Sequence, residues 1–380
     1  MLALTLVGFL GIAWVNGDLA YGVWWATNTT PPSVSLDGPA GVVRGIVQVN
    51  AQVAPGDRSR VVDAQMDGRP IGADSALAID TTALADGPHR LAVTAEDRSW
   101  RRNRASVERD FQSDNTPPHL AIDVRPNAVG QGHTWLLRVG IDEPGAVEAT
   151  VAGKPVILQE GTGFGWAILG IGSDTAPASL PLVVGAVDRV GNRAEQRSSL
   201  HIVPTTFTQD RVDVSANLAP LLRPEVRAAE DTRLAPIYAA VTQPRLWDGP
   251  FALPVQGQIV TQFGEVRSYN GGPFEGHHGG TDFAAPAGRP VLAPARGKVA
   301  LIDKVQLRGT IVILDHGLGV FTTYAHLSAV DIQVGQEVQR GQAFAKVGTT
   351  GLSEGPHLHW ELWVGGANVD PLEWTQQSFP

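Results

Sequence analysis

One short stretch near the C-terminus reads His357-Leu358-His359-Trp360-Glu361-Leu362-Trp363-Val364. Apolar residues occupy every second position from Leu358 to Val364, which is the period of a β-strand with one face on a core. Side chains at positions i and i+2 of a strand point to the same face, so His357 and His359 lie side by side. Two adjacent imidazoles suit a metal ligand next to a general base. The stretch therefore predicts a β-strand that carries metal-binding or catalytic side chains.

Similar runs surround this strand, and glycines separate them. The chain has 43 glycines and 27 prolines, a composition that favours short strands and many turns over long helices. A compact antiparallel sheet is the natural arrangement for such strands. The predicted strands are Arg289–Leu292, Gly297–Ile302, Thr310–Leu314, Val320–Tyr324, Ala343–Val347 and Leu358–Val364.

Histidines concentrate in the same region, which holds six of the ten in the chain. The segment His278-Gly279-Gly280-Thr281-Asp282 adds an imidazole and a carboxylate on a loop that runs into a strand. With His359, these two residues offer three nitrogen and oxygen ligands, the number that a catalytic zinc site takes from the protein. His326, at the end of another predicted strand, is a further imidazole for the same cleft. The chain has no cysteine, so any metal must be held by histidine and carboxylate.

Three segments together resemble the lysostaphin/LytM-type zinc peptidases, which act on peptide bonds of bacterial peptidoglycan. The resemblance extends over roughly Pro254 to Trp374, about a third of the chain. One position departs from the family pattern, because Glu354 stands where a small hydroxyl residue is usual. The matching segments are His278–Gly288, Tyr324–Leu327 and Gly348–His359.

The resemblance implies a role for each site residue. It implies that His278, Asp282 and His359 bind Zn²⁺, that His357 is the general base, and that His326 stabilises charge on the attacked carbonyl oxygen, either protonated or as a hydrogen-bond donor. His277 and His316 are instead expected to be polar residues that have found structural partners.

The region upstream contains an internal repeat. Thr30-Pro31-Pro32 recurs as Thr116-Pro117-Pro118, Gly68-Arg69-Pro70 as Gly153-Lys154-Pro155, and Ala95-Glu96-Asp97-Arg98 as Ala186-Val187-Asp188-Arg189. Three pairs of similar segments in the same order imply two copies of one module, each about the size of a β-sandwich domain. The pattern resembles the immunoglobulin-like domains of exported bacterial proteins. We predict two such domains, residues 30–115 and 116–204, acting as passive spacers in preference to a ligand-binding arm.

Two segments complete the layout. Residues 205–250 contain leucines near helical spacing, with Pro224 in or before the first turn, and predict a helical connector to a peptidase domain at residues 251–380. Residues 1–26 are largely apolar, which predicts a signal peptide or an uncleaved membrane anchor, with a buried core helix as the less favoured alternative. The predicted fold class is all-β: two immunoglobulin-like sandwiches, a short helical connector and an antiparallel β-sheet or β-roll peptidase domain.

These features lead to a functional prediction. The formal net charge of −9 makes nucleic acid an unfavourable partner. We predict an exported zinc metalloendopeptidase of the cell envelope or periplasm, held at the inner membrane if its N-terminal segment stays attached, with peptidoglycan as its partner. The sequence does not indicate an oligomeric state.

Two other functions compete with this prediction. The first is a non-catalytic wall-binding regulator of another hydrolase, which the complete set of ligand positions argues against. The second is a phosphocarrier module, because Val334–Gln342 resembles the glycine-turn repeat of such carriers. The apolar N-terminus and Asp282 argue against a phosphocarrier.

Overall fold

The computed structural model describes residues 19–161 and 163–380. The described residues form 31 strands and three α-helices, so the predicted all-β class is confirmed. Close contacts divide the chain into two compact units. One unit holds the residues up to Pro118 together with Glu143–Gly145 and Val187–Ala194, and the other holds the remainder.

Most of the predicted leader or anchor lies outside the described residues, which begin at residue 19. The end of that segment forms helix α1, Leu19–Thr27. Among the helices in the described part of the chain, none is both long and apolar enough to cross a membrane.

The first repeat copy folds as two facing sheets, in the orders β1-β3-β6 and β2-β8-β7-β4-β5. Its core contains Val49, Leu91 and Val93, and the last two come from the alternating run noted in the sequence. The strands are β1 (Ser33–Asp37), β2 (Gly41–Val43), β3 (Ile46–Ala54), β4 (Ser59–Met66), β5 (Arg69–Gly72), β6 (Ala76–Asp80), β7 (Gly87–Asp97) and β8 (Arg104–Ser113).

The second copy repeats this plan. One of its sheets has the order β10-β17-β16-β12-β13, which matches the five-stranded sheet of the first copy strand for strand, and the other has the order β14-β15-β11-β9. Both five-stranded sheets begin with a short strand paired in parallel to the last strand of the copy, so the sequence echoes mark a true structural repeat. The strands are β9 (Leu120–Arg125), β10 (Ala128–Gly130), β11 (Thr134–Ile141), β12 (Gly145–Val151), β13 (Lys154–Val156), β14 (Gln159–Gly161), β15 (Phe164–Gly170), β16 (Ala178–Asp188) and β17 (Arg193–Val203).

The connector contains strand β18 (Gln209–Val212), a 3₁₀ turn (Ala219–Leu222) and helix α2 (Pro224–Tyr238). Pro224 occupies the first turn of α2, where its missing N–H costs no hydrogen bond. The helix buries Leu234 and Tyr238, and the Tyr238 ring stacks on Trp363 at 4.0 Å. The sequence predicted this helix but not the strand before it.

The C-terminal domain is built on a long antiparallel sheet of order β19-β22-β30-β26-β25-β24-β28, with β31 paired to β30. Two smaller sheets, β18-β20-β21 and β23-β29-β27, flank it. All six strands predicted here are present, with ends that differ by at most three residues. The strands are β19 (Gln258–Thr261), β20 (Val266–Tyr269), β21 (Phe274–His277), β22 (Thr281–Ala284), β23 (Pro290–Leu292), β24 (Gly297–Val305), β25 (Gly309–Asp315), β26 (Val320–Ala325), β27 (Leu327–Val330), β28 (Glu337–Val338), β29 (Ala343–Val347), β30 (His357–Val364) and β31 (Ala367–Val369), followed by helix α3 (Glu373–Gln376).

Candidate active site

The three predicted ligands meet where strands β22 and β30 of the long sheet pair, next to its β19 edge. Strands β22 and β30 are antiparallel neighbours in a register that sets Asp282 opposite His359, and His278 lies on the loop just before β22. His359 Nδ1 is 2.8 Å from Asp282 Oδ1. His278 Nε2 is 3.2 Å from Asp282 Oδ2 and 3.0 Å from His359 Nδ1. All three side chains are buried, so the structure brings together the whole set that the sequence proposed.

Hydrogen bonds on the far side of each ring determine which nitrogen faces inward. His278 Nδ1 donates to the carbonyl oxygen of Gln262 at 3.0 Å, and His359 Nε2 donates to Glu361 Oε1 at 3.0 Å. When both rings are neutral, the inward nitrogens carry lone pairs, and they converge with a carboxylate. Three acceptors without a donor between them repel one another unless a cation lies among them. Imidazole and carboxylate are ligands that zinc accepts, and the donor set fits that ion.

The ionisation of these groups also indicates a site that attracts positive charge. Burial alone would raise the pKa of Asp282, but His278 and His359 hold that pKa well below its usual range. Burial opposes a charge on His359, yet its hydrogen bonds to Asp282 and Glu361 raise its pKa to about 9. A proton on Nδ1 is thus the positive charge that lies among these acceptors when no other cation is bound. The protein thus surrounds this imidazole with negative charge, which a bound cation would balance.

His357 is the first residue of β30, and its ring stands beside the ligand set without joining it. Its Nδ1 donates to the carbonyl oxygen of Gly355 at 2.9 Å. The Nε2 atom lies 3.9 Å from Asp282 Oδ1, so its lone pair points into the cleft. Leu358 and Trp360 are fully buried on the opposite face of the strand, as the alternation predicted. His357 is placed to accept a proton at the metal site.

His326 lies just past β26, with its ring centroid 4.6 Å from that of His357. Its backbone adopts a left-handed conformation, φ 58°, which non-glycine residues adopt rarely. Its Nδ1 donates to the carbonyl oxygen of Thr350 at 2.7 Å. Burial, with help from His357, lowers its pKa to about 3. The ring is therefore neutral with a free lone pair on Nε2, and in this form it cannot donate a hydrogen bond into the cleft.

These groups line a cleft of about 450 Å³. One wall comes from the connector, which contributes Asp210, Val212 and Val214. At the rim, Glu354 accepts hydrogen bonds from the backbone N–H and the hydroxyl of Ser215, both at 2.8 Å. The unusual glutamate noted in the sequence thus ties the connector to the loop before His357.

Comparison with known proteins identifies the family of the C-terminal domain. Residues 276–371 match the model of peptidase family M23, and this range contains all five proposed site residues. The C-terminal domain is an M23 peptidase domain. The resemblance predicted from the motifs is confirmed.

Relatives of the M23 domain include enzymes described as cell-wall peptidases. The peptidoglycan DD-endopeptidase ShyB of Vibrio cholerae is 38% identical over 119 residues, 30% of this chain and 27% of that protein. ShyA of the same organism is 42% identical over 96 residues, 25% of this chain and 22% of that protein. The catalytic domain of lysostaphin from Staphylococcus simulans is 26% identical over 34% of this chain and 92% of its own, with a TM-score of 0.26. This chain spans about a quarter of the length of the two Vibrio relatives.

Behind the zinc-ligand candidates, the M23 domain contains a charged network that sequence reasoning missed. Glu361, which accepts from His359, also accepts from Arg308 Nε at 2.6 Å. Arg308 donates in turn to Glu230 of α2 at 2.8 Å, and both Arg308 and Glu230 are largely buried. A carboxylate behind a ligating histidine fixes its tautomer and orientation. The connector helix therefore helps to hold His359 in place.

Replacing Glu361 with glutamine is expected to weaken zinc binding by roughly 10- to 100-fold, because the amide keeps the shape but loses the charge that orients His359. Competition with a chromophoric chelator measures this affinity directly. Asp231→Asn is the matched control, since Asp231 contacts Arg308 at 3.4 Å from a half-exposed position and should leave zinc affinity unchanged. Equal affinities for Glu361→Gln and the unaltered chain would contradict the role.

Three other polar side chains of this domain have structural partners. Arg267 donates to Asp282 Oδ2 at 3.0 Å and was not predicted. His316 is fully buried, bonded to the carbonyl oxygen of Arg296 and to Thr322, and burial lowers its pKa to about 4. His277 bonds to the carbonyl oxygen of Gly264. The expectation of structural roles for His277 and His316 is confirmed.

Proposed function

We propose that this chain is a zinc-dependent endopeptidase that hydrolyses peptide crosslinks or stem peptides of bacterial peptidoglycan. One observation carries the proposal: a buried donor set of His278, Asp282 and His359 lies beside the free Nε2 lone pair of His357. The descriptions of ShyA and ShyB as peptidoglycan DD-endopeptidases support the choice of substrate.

The chemistry follows from the placement of the side chains. His278, Asp282 and His359 would hold the ion, and zinc so held supplies Lewis acidity to the scissile carbonyl and to the attacking water. His357 Nε2 accepts a proton from that water and returns it to the leaving amine. His326 offers a second lone pair next to His357. Once it has taken up a proton, it can offset negative charge on the carbonyl oxygen, so its role requires protonation first.

The rest of the chain suggests how the enzyme reaches its substrate. We propose that the two sandwiches are spacers of immunoglobulin-like type, that the chain is exported to the cell envelope, and that residues 1–26 serve as a leader or inner-membrane anchor. The apolar sequence from Met1 to Val15 supports export.

The decisive experiment uses the purified full chain. Bound zinc is counted, and the protein is then incubated with peptidoglycan sacculi with and without a chelator while released amines are followed. One zinc per chain and amine release that the chelator stops are expected. Bound zinc without amine release would favour the non-catalytic wall-binding regulator. A chain that binds no zinc would contradict both the proposed enzymatic activity and the proposed metal site.

A further inference from the structure

Helix α1 is attached firmly to one end of the first sandwich. Trp100 Nε1, on the loop after β7, donates to the carbonyl oxygen of Ala26 at 2.9 Å. Asn28 Nδ2, just past the helix, donates to Asp97 Oδ2 at 2.7 Å. A third bond runs from the Trp100 backbone N–H to the carbonyl oxygen of Trp25 at 3.3 Å. The helix and this loop therefore present a single surface.

That surface combines tryptophan with arginine. Trp25 and Trp100 are 47% and 54% exposed, an unusual state for the largest apolar side chain. The Arg58 guanidinium lies 5.1 Å from the centre of the Trp24 ring, and that of Arg101 lies 4.7 Å from the Trp100 ring. We call the set Trp24, Trp25, Trp100, Arg58, Arg98 and Arg101 the tryptophan–arginine patch.

The charge of the patch is not neutralised within the domain. Neither Arg98 nor Arg101 forms an ion pair with any residue in the described part of the chain. Of the nearby carboxylates, Glu96 pairs with Arg104 at 2.9 Å, and Asp97 is buried and bonded to Asn28, Ser99 and Asn103. Among these carboxylates of the described residues, Asp57 is the exposed one, 3.4 Å from Arg58. The surface therefore has an excess of positive charge.

We propose that the first sandwich docks through this patch on a lipid bilayer that contains anionic phospholipids. Tryptophan side chains favour the boundary between headgroups and acyl chains, and guanidinium groups bind phosphate with paired hydrogen bonds. Arginines near such a surface gain from its negative potential. The sequence preceding α1 adds a second reason, because Met1–Val15 carries no charged residue, and Asp18 is the one charged residue between this run and Trp24. This inference is independent of the proposed peptidase activity, and it applies to the chain that retains α1, as in the anchor alternative.

The absence of cysteine from the chain allows a clean test. The full chain is given one cysteine, Asp57→Cys beside the patch or Ala83→Cys as the control, and is labelled with a fluorophore. Ala83 precedes β7, and the patch follows that 11-residue strand, so the two labels lie about 30 Å apart. Quenching by nitroxide-headgroup lipid is measured in vesicles of phosphatidylglycerol and phosphatidylethanolamine, and in vesicles of phosphatidylcholine. The arginine-to-glutamine variant described below keeps the N-terminal segment unchanged, so it separates docking through the patch from anchoring through that segment.

Strong quenching at position 57 and little at position 83 is expected in the anionic vesicles. Replacing Arg58, Arg98 and Arg101 with glutamine should reduce that quenching severalfold, since each arginine contributes on the order of fivefold to surface binding. Unchanged circular dichroism and zinc content would show that this variant is folded. Equal quenching at the two positions would overturn the proposal. Equal quenching at position 57 in both lipid mixtures would overturn the anionic preference. Energy transfer between copies without lipid quenching would assign the patch to a second chain instead.

Discussion

Replacing His359 with alanine is expected to abolish both zinc retention and amine release from sacculi. The change removes one of three ligands and leaves Glu361 without its imidazole partner. The loss in zinc binding should amount to roughly 3 kcal/mol or more, on the order of a hundredfold in affinity. Metal analysis after dialysis and the amine assay measure the two effects on the same preparation.

The matched control for this variant is His201→Ala, which removes an exposed imidazole from the second sandwich. It should keep one zinc per chain and full cleavage. A thermal melt of the His359→Ala protein distinguishes loss of metal from loss of fold. If that variant kept zinc and cleaved sacculi at the normal rate, the assignment of His359 as a ligand would be wrong.

Replacing His357 with alanine should separate zinc binding from cleavage. Its Nε2 faces the ligand set at 3.9 Å from Asp282 Oδ1. The hydrogen bonds of the ring within the described residues go to the Gly355 carbonyl and to Ser353, so zinc content should remain at one per chain. Cleavage should fall by about 10²- to 10⁴-fold, the usual contribution of a positioned general base. The measurement is kcat on a soluble crosslinked peptide, together with the zinc content of the same sample.

Ser353→Ala is the control for His357, because it removes the 3.3 Å contact to the ring and leaves the ring's bond to Gly355. It also removes the bonds of this hydroxyl to Thr349 and to the Gly355 carbonyl oxygen, neither of which involves the ring. A small change in rate is expected. Undiminished cleavage by His357→Ala would reject the general-base role and leave His326, whose Nε2 is also free, as the candidate. Loss of zinc from His357→Ala would instead mean that this ring belongs to the ligand set.

Local sequence was sufficient to predict the arrangement of residues wherever a single strand or a single loop determines it. The alternation from His357 to Val364 places two imidazoles on one face because the side-chain period of a strand is two. The paired glycines before Asp282 favour a loop that runs into a strand over a helix. The repeat echoes likewise correspond to sheets of matching strand order. In each case the determining interaction is between residues near one another in the chain, or between copies of one pattern.

Tertiary structure alone decided the features that join distant residues. Glu230, Arg308 and Glu361 form one network although 131 positions separate its ends, and no spacing rule relates them. Ser215 meets Glu354 for the same reason. His326 shows the limit most clearly: the sequence supplied its identity, but its neutral form depends on burial, and the choice of which ring nitrogen carries the proton depends on the carbonyl of Thr350. Charge state and partner choice depend on which surfaces pack together, because burial and long-range contacts are set by the whole fold and not by local periodicity.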